Sequence, residues 1–382
     1  NAPVTVKVTV SKNRIEKIDT SKNLETNGVG RVALKLMTDK ILKYQSLGVD
    51  AITGASISSL ALLSGVEKCL EQAGGNIDKL TEQVEKHPAG TKTYDADVVV
   101  IGGGGSGLAT AIAAYQAGAK KVIVVEKLGY LGGSTNVSEG ALNAVDPKRQ
   151  GKQGIEDSFE KFYDQTMKGG HNKGNPELVK YLTQNSMKSV EWLESMGVKF
   201  KDEIGTATGA LWQRSHYPAT PSGNTYIRSF EQYIEDHPDQ ITMLHEMQAK
   251  ELLVEKGAVS GVKAVHRGNL EVTVNAPAVV IATGGVGANV SYRQEVNTGV
   301  WADVKLDDSI GCTNIKPCAQ GEGLKLAEAA GAELIGLSDI QLHPCGTPGT
   351  GLMEDIRTSG RNRIFVNKSG ERFVNEGAER DT

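Results

Sequence analysis

The sequence predicts an α/β protein: a small α+β segment, then a doubly wound, Rossmann-like domain on a parallel sheet, then the start of a third piece. Three observations carry this. Asp97-Val-Val-Val-Ile-Gly102 is too continuously apolar for a strand with one wet face, as strands of buried parallel sheets are. A glycine-rich turn and an apolar helical stretch follow it, and a second apolar run, Lys121 to Glu126, comes next. Ahead of all three lies a segment with strand and helix patterns of its own, set off by charged, proline-containing residues.

Taken in order, residues 3–10 alternate apolar and polar as a half-buried strand does. Val32 to Tyr44 reads as a helix, and a second helix carries Leu60, Leu63, Val66, Cys69 and Leu70 on one stripe, closed by Gly74-Gly75. Residues 1–80 are thus expected to form a first domain and 81–94 a linker, with 95–340 a second domain and 341–382 the beginning of a third. Within the second domain, Val98 to Ile101 is a strand, a helix starts near Ser106, and Lys121 to Glu126 is the next strand. Residues 151–200 are mostly amphipathic helix, Gln248 to Val274 a strand meander, and Ala278 to Ala282 another buried strand. Near Ile340 the pattern turns to loop and short strand.

Composition narrows the function. In 382 residues, 42 Lys and Arg face 46 Asp and Glu, a net charge of −4, so no basic surplus exists to neutralise the phosphates of a nucleic acid. Cys69, Cys312, Cys318 and Cys345 form no C-x-x-C, which argues against zinc ribbons and c-type haem, and no metal site is expected. The uncharged window Val98 to Ala119 is broken by glycines and is not expected to span a membrane. A chain that begins at Asn1 fits removal of a leader and an extracytoplasmic setting.

The chemistry is written in glycines. Gly102-Gly-Gly104-Gly-Ser-Gly107 follows a buried strand and opens a helix, and Glu126 ends the next strand. The first glycines allow a tight turn and close approach of a pyrophosphate to the helix N-terminus, Gly107 lets helix pack on strand, and Glu126 can accept from ribose hydroxyls. Glu126-Lys127 is then followed by Gly132-Gly133-Ser134-Thr135, and Ala282-Thr283-Gly284-Gly285 follows the later strand. These extra close-approach turns favour FAD over NAD.

Taken together, the motifs resemble the flavoprotein subunits of the fumarate reductase and succinate dehydrogenase superfamily, especially the soluble single-chain reductases of α,β-unsaturated acids. The resemblance rests on Gly132-Gly-Ser-Thr135, Glu139-Gly140-Ala141-Leu-Asn143, Ala282-Thr-Gly-Gly285, Gly321-Glu322-Gly323, Ile340-Gln-Leu-His-Pro344 and Asn367 to Glu376 with Arg380-Asp381, and covers the chain from about residue 95. It implies non-covalent FAD held by these glycines, hydroxyls, Lys127 and Glu322. The first segment resembles the FMN-binding domain often fused ahead of such reductases. Asp50-Ala-Ile-Thr-Gly-Ala-Ser56 is similar to the motif on which a flavin transferase esterifies FMN, which implies Ser56 as the acceptor.

Carried over residue by residue, the resemblance makes Arg380 the proton donor to the alkene, Glu354 and Arg357 its relay, and His343 a ligand of a substrate carboxylate. Met353 stands where the fumarate-specific pattern has a threonine, and urocanate reductases tend to have tyrosine at the position of His343. Fumarate is the first expectation, with urocanate, acrylate or cinnamate as alternatives. An electron-transfer module without turnover and an enzyme run in the oxidising direction also remain open, and the electron donor is expected to be external, quinol- or NADH-linked. Members of the family continue with the rest of a capping domain, so a fragment or processed chain is expected.

Overall fold

The computed structural model describes residues 4–207, 211–220, 222–343, 346, 347, 349, 351 and 364–375. Along the chain run β1 (Lys7–Ser11), β2 (Arg14–Asp19), α1 (Gly30–Tyr44), α2 (Ser56–Gln72), α3 (Ile77–Leu80), β3 (Gly90–Asp95), β4 (Val98–Ile101), α4 (Gly105–Gln116), β5 (Val122–Val125), β6 (Leu142–Asn143), α5 (Pro147–Lys152), α6 (Phe159–Gly169), α7 (Pro176–Ser195), β7 (Ser215–His216), α8 (Asn224–Glu235), β8 (Ile241–Leu244), β9 (Met247–Glu255), β10 (Ala258–His266), β11 (Leu270–Asn275), β12 (Ala278–Ile281), α9 (Val290–Glu295) and α10 (Glu322–Ala329). The chain divides into two compact units, one of residues 1–137, 234–284 and 322–333, the other of 138–233, 285–321 and 334–382.

The first unit is built on a parallel sheet in the order β12-β4-β5-β8. Val99, Ile101, Ile123 and Val125 turn one face of it toward Val262, Ala264, Val272 and Val274 of a second sheet, ordered β3-β11-β10-β9. The alternate residues Val100, Val122 and Val124 are also buried, as are Leu108, Ala111 and Ile112 of α4, which packs on β4 and β5. Both faces are therefore covered, which is why these strands read as unbroken apolar runs. The fourth strand, β8, is not among the strands expected from the sequence: it has only four residues, set off from α8 by the turn at 236–240.

Three further expectations need correction. The last residues of the expected linker 81–94, from Gly90 on, belong to β3, which pairs in parallel with β11. The strand at β12 is half-buried rather than fully buried, as an edge strand must be. In α2 the buried stripe is Ser59, Leu62, Val66 and Leu70, at spacings of three and four, while Leu60 is exposed. The apolar residues of α2 are numerous enough to draw two stripes, and packing against α1 through Ala33, Leu34, Met37 and Ile41 selects one.

Among the described residues, the regular structure of the second unit is mostly helix. Asp146, Ser158 and Asn175 cap α5, α6 and α7 with their side chains, and Pro147 and Pro176 occupy the first helical position, where no N–H is needed. Helices α6 and α7 pack together, and β6 and β7 form a two-residue antiparallel ladder. The loop after α9 is fastened by one buried side chain: Arg293 donates to the carbonyls of Gly287 and Leu306 at 2.8 Å each, of Ile310 at 2.6 Å, and of Asp307. No helix among the described residues is long and apolar enough to cross a membrane.

Candidate functional site

The turn from β4 to α4 is shaped by what its glycines cannot be. Gly102 has φ +108°, and a Cβ there would stand 2.5 Å from the carbonyl oxygen of Ala282. A Cβ on Gly107 would run into the carbonyl oxygen of Gly102. Gly104, the N-cap of α4, brings no side chain to the orphan N–H groups of the helix, and a Cβ on it would have nothing nearer than the carbonyl oxygen of Gly132, 3.9 Å away. A helix start without a side-chain cap, reached through a turn of glycines, is the arrangement that receives a pyrophosphate.

The second glycine turn closes on the first. Gly132 N–H donates to Gly103 O at 2.8 Å, Gly104 and Gly132 form a parallel bridge, and Gly105 N–H donates to Thr135 Oγ1 at 3.3 Å. Gly133, Ser134 and Thr135 lie in the 3₁₀ turn Gly133–Val137. Glu126 accepts from Gly103 N–H at 2.6 Å on one oxygen and from Leu128 N–H at 2.7 Å on the other, leaving each oxygen a further lone pair. Burial pushes its carboxyl above the ordinary value, and the backbone donors offset this only in part. Lys127 pairs with Glu322, which also accepts from Gln248 at 2.8 Å, and a Cβ on Gly323 would collide with Thr283. Gly284 and Gly285 have no atom within 4 Å of a Cβ position. One unit thus brings together Gly102, Gly104, Gly107, Glu126, Lys127, the Gly132–Thr135 turn, Thr283, Gly284 and Glu322, and this open, donor-lined cradle fits FAD.

The Asp50–Ser56 segment belongs to the same unit. Gly54 has φ +90°, and Ser56 opens α2 with its side chain exposed. Ser58 and Ser59 are buried, and Ser59 Oγ donates to Ala55 O at 3.0 Å while accepting from Ile52 N–H. Among these three serines only Ser56 presents a hydroxyl that an incoming flavin could reach.

Gly140, Ala141 and His343 lie in the second unit. Gly140, at φ +77°, accepts from the hydroxyl of Tyr226, whose pKa burial drives upward. The unit contains a cavity of about 770 Å³ lined by Leu142, Asn143, Phe162, Thr166, Arg214 and Trp301, among others. Arg214 is fully buried and grips Asp157 through two hydrogen bonds of 2.9 and 2.7 Å, with its guanidinium 4.3 Å over the Phe162 ring. His216, also fully buried, contacts Asp146. Sequence reasoning missed this network, since nothing local marks Arg214 or His216 as interior. Arg380, Glu354, Arg357 and Met353 lie outside the described residues.

Residues 97–382 match the FAD binding domain family and residues 1–71 the FMN-binding domain. The chain therefore belongs to the FAD-binding flavoprotein family, with an FMN-binding domain ahead of its FAD-binding one. It is 32% identical to an NADH:acrylate oxidoreductase of Vibrio harveyi over all of this chain and 43% of that protein. A urocanate reductase of Eggerthella lenta is 34% identical over 99% of this chain and 62% of its own. The fold is similar to the open conformation of a flavocytochrome c3 fumarate reductase, with a TM-score of 0.63 and 30% identity over 75% of this chain and 50% of that one. The chain thus spans 43% and 62% of the two curated relatives named.

Proposed function

We propose that this chain is the FMN- and FAD-bearing part of a reductase that saturates the carbon–carbon double bond of a small α,β-unsaturated carboxylate, with fumarate the first substrate to test. The observation that carries the reading is the presence, in one compact unit, of both an exposed serine in a flavinylation-type loop and a glycine-lined nucleotide cradle. The printed activities of the relatives, on acrylate, urocanate and fumarate, support the substrate class. When bound, FAD supplies hydride to one alkene carbon and ester-linked FMN supplies the electrons that restore it.

The chain's own residues would do the rest. Gly102, Gly104 and Gly107 seat the pyrophosphate and Glu126 the ribose. Ser56 carries FMN after action of a flavin transferase, and FAD is held without a covalent bond. Arg380 delivers the proton to the second carbon, with Glu354 and Arg357 returning it, and His343 holds a carboxylate. An arginine acid requires a site that favours its neutral form at the moment of transfer, which a desolvated pocket provides. The names of two relatives support an NADH-linked donor, and we place the protein outside the cytoplasm.

Acid precipitation of protein matured with a flavin transferase should leave yellow colour in the pellet, and Ser56→Ala should remove it. Viologen-linked assays of the full-length protein on fumarate, urocanate, acrylate and cinnamate should show turnover of at least one. Activity with none of them would favour an electron-transfer module.

A further inference from the structure

We infer that Arg267 and Glu246 form a charged clasp that positions the FMN attachment loop against the FAD cradle, so that Arg267 is a positioning residue for electron passage between the two flavins. The inference rests on the reading of Ser56 as the flavin carrier. It starts from backbone geometry. Glu246 sits between β8 and β9 with φ +56°, and Arg267 between β10 and β11 with φ +45°, both in the left-handed region that glycine and asparagine favour. Each costs about 1 kcal/mol or more for an ordinary residue. Strain kept at two turn tips points to a use for the side chains found there.

Those side chains meet at the Asp50–Ser56 loop. Arg267 Nε donates to Glu246 Oε2 at 3.1 Å, Nη2 to Oε1, and Nη1 reaches across to Asp50 Oδ2 at 2.6 Å. Thr53 Oγ1 donates to Glu246 Oε1 at 2.6 Å. Asp50 and Thr53, two positions of the flavinylation-type motif, are thereby held by residues about two hundred positions further along the chain. His87 and Gln83 also contact the Asp50 carboxylate, and Lys40 binds Glu85, which accepts from Asp50 N–H at 2.9 Å.

From the clasp to the cradle the path is short. Glu246 N–H donates to Leu128 O at 3.0 Å, Gly129 N–H to Thr53 O at 3.2 Å, and Leu128 N–H to Glu126. The loop that carries Ser56 and the carboxylate that would hold the FAD ribose are therefore tied to one tripeptide, Leu128-Gly-Tyr130. With the clasp shut, the tether of FMN has a fixed origin relative to FAD. With it open, the attachment loop is free to wander and transfer must wait for its return.

The test uses Arg267→Asn, which suits the left-handed backbone while deleting the guanidinium, with Arg267→Lys as the conservative variant and Thr53→Val as an independent cut. In the flavin-free chain, amide exchange of residues 50–56 should accelerate about tenfold in Arg267→Asn, as loss of a charged hydrogen bond implies. Global stability should fall by less than this local loss, because asparagine relieves the left-handed strain at position 267, and Arg267→Lys should restore part of the protection. In flavin-loaded protein, equilibration of FMN with FAD after pulse reduction should slow by a similar factor. Exchange within about twofold of the parent in both Arg267→Asn and Thr53→Val would overturn the clasp. Faster exchange with an unchanged transfer rate would overturn the positioning role. Failure of the Ser56 reading shows separately, as wild-type protein without acid-stable flavin in which the exchange effect persists.

Discussion

Two glutamates in the same unit, Glu126 buried and Glu246 partly so, are treated in opposite ways. Burial drives Glu126 up, with only backbone N–H groups to favour its charge apart from the neighbouring Lys127. Burial also works against the charge of Glu246, but hydrogen bonds from Arg267 and Thr53 overcome it and hold that carboxyl below its ordinary value. The first is a site whose charge still lacks donors, and ribose hydroxyls would supply them. The second is electrostatically complete and has nothing left to offer a ligand. A carboxylate under tension marks a place for binding, and one at rest marks a place for holding.

The sharpest way to test that charge pairing and not shape holds an interior group lies in the second unit. Arg214→Met should destabilise by about 3–5 kcal/mol, because it strands Asp157 in the interior. Arg214→Met with Asp157→Leu should recover most of that in a denaturant melt. At the cradle, where shape rules, Gly107→Ala should cost about 3 kcal/mol and abolish FAD retention, since the Gly102 carbonyl has no room to retreat. Melting temperature and bound flavin after gel filtration check both.

Glu126→Gln keeps the size of the side chain while removing the charge that ribose hydroxyls would stabilise, and should weaken FAD binding by about 1.5–3 kcal/mol. If affinity is unchanged, Glu126 is a backbone brace and not a ligand residue. Because burial raises its carboxyl, FAD should also bind more tightly as pH rises above 4.5 and the carboxylate forms.

How much of this was legible from the chain follows the same division. The cradle could be read because steric demands are local: Gly102, Gly104, Gly107 and Glu126 declare themselves by spacing within one strand-turn-helix-strand unit. Ser56 could be proposed from its place in a seven-residue motif, and the structure adds that it is exposed where Ser58 and Ser59 are buried. Arg267, Glu246, Arg214 and Asp157 could not be read, because a charged side chain in a polar stretch looks solvent-bound until its distant partner is placed beside it. The phase of α2 was misread for a related reason, since the choice between its two apolar stripes is made by α1 and not by α2.

The smallest effect separates the two glutamates by sign. A carboxyl held low in the folded state contributes stability that is present above its unfolded value, near 4.5, and is lost as pH falls through the folded value. Glu246 should therefore loosen the Asp50–Thr53 loop on acidification below 4.5, by about 1 kcal/mol given its partial exposure. Glu126, held high, contributes stability below 4.5 that is lost as pH rises through its folded value. Exchange measured along the chain across this range should show residues 50–56 losing protection on the acid side while residues 103 and 128, bonded to Glu126, do not follow. Parallel loss at both places would mean that acid unfolds the unit as a whole, and that the contrast between the two glutamates has no local consequence.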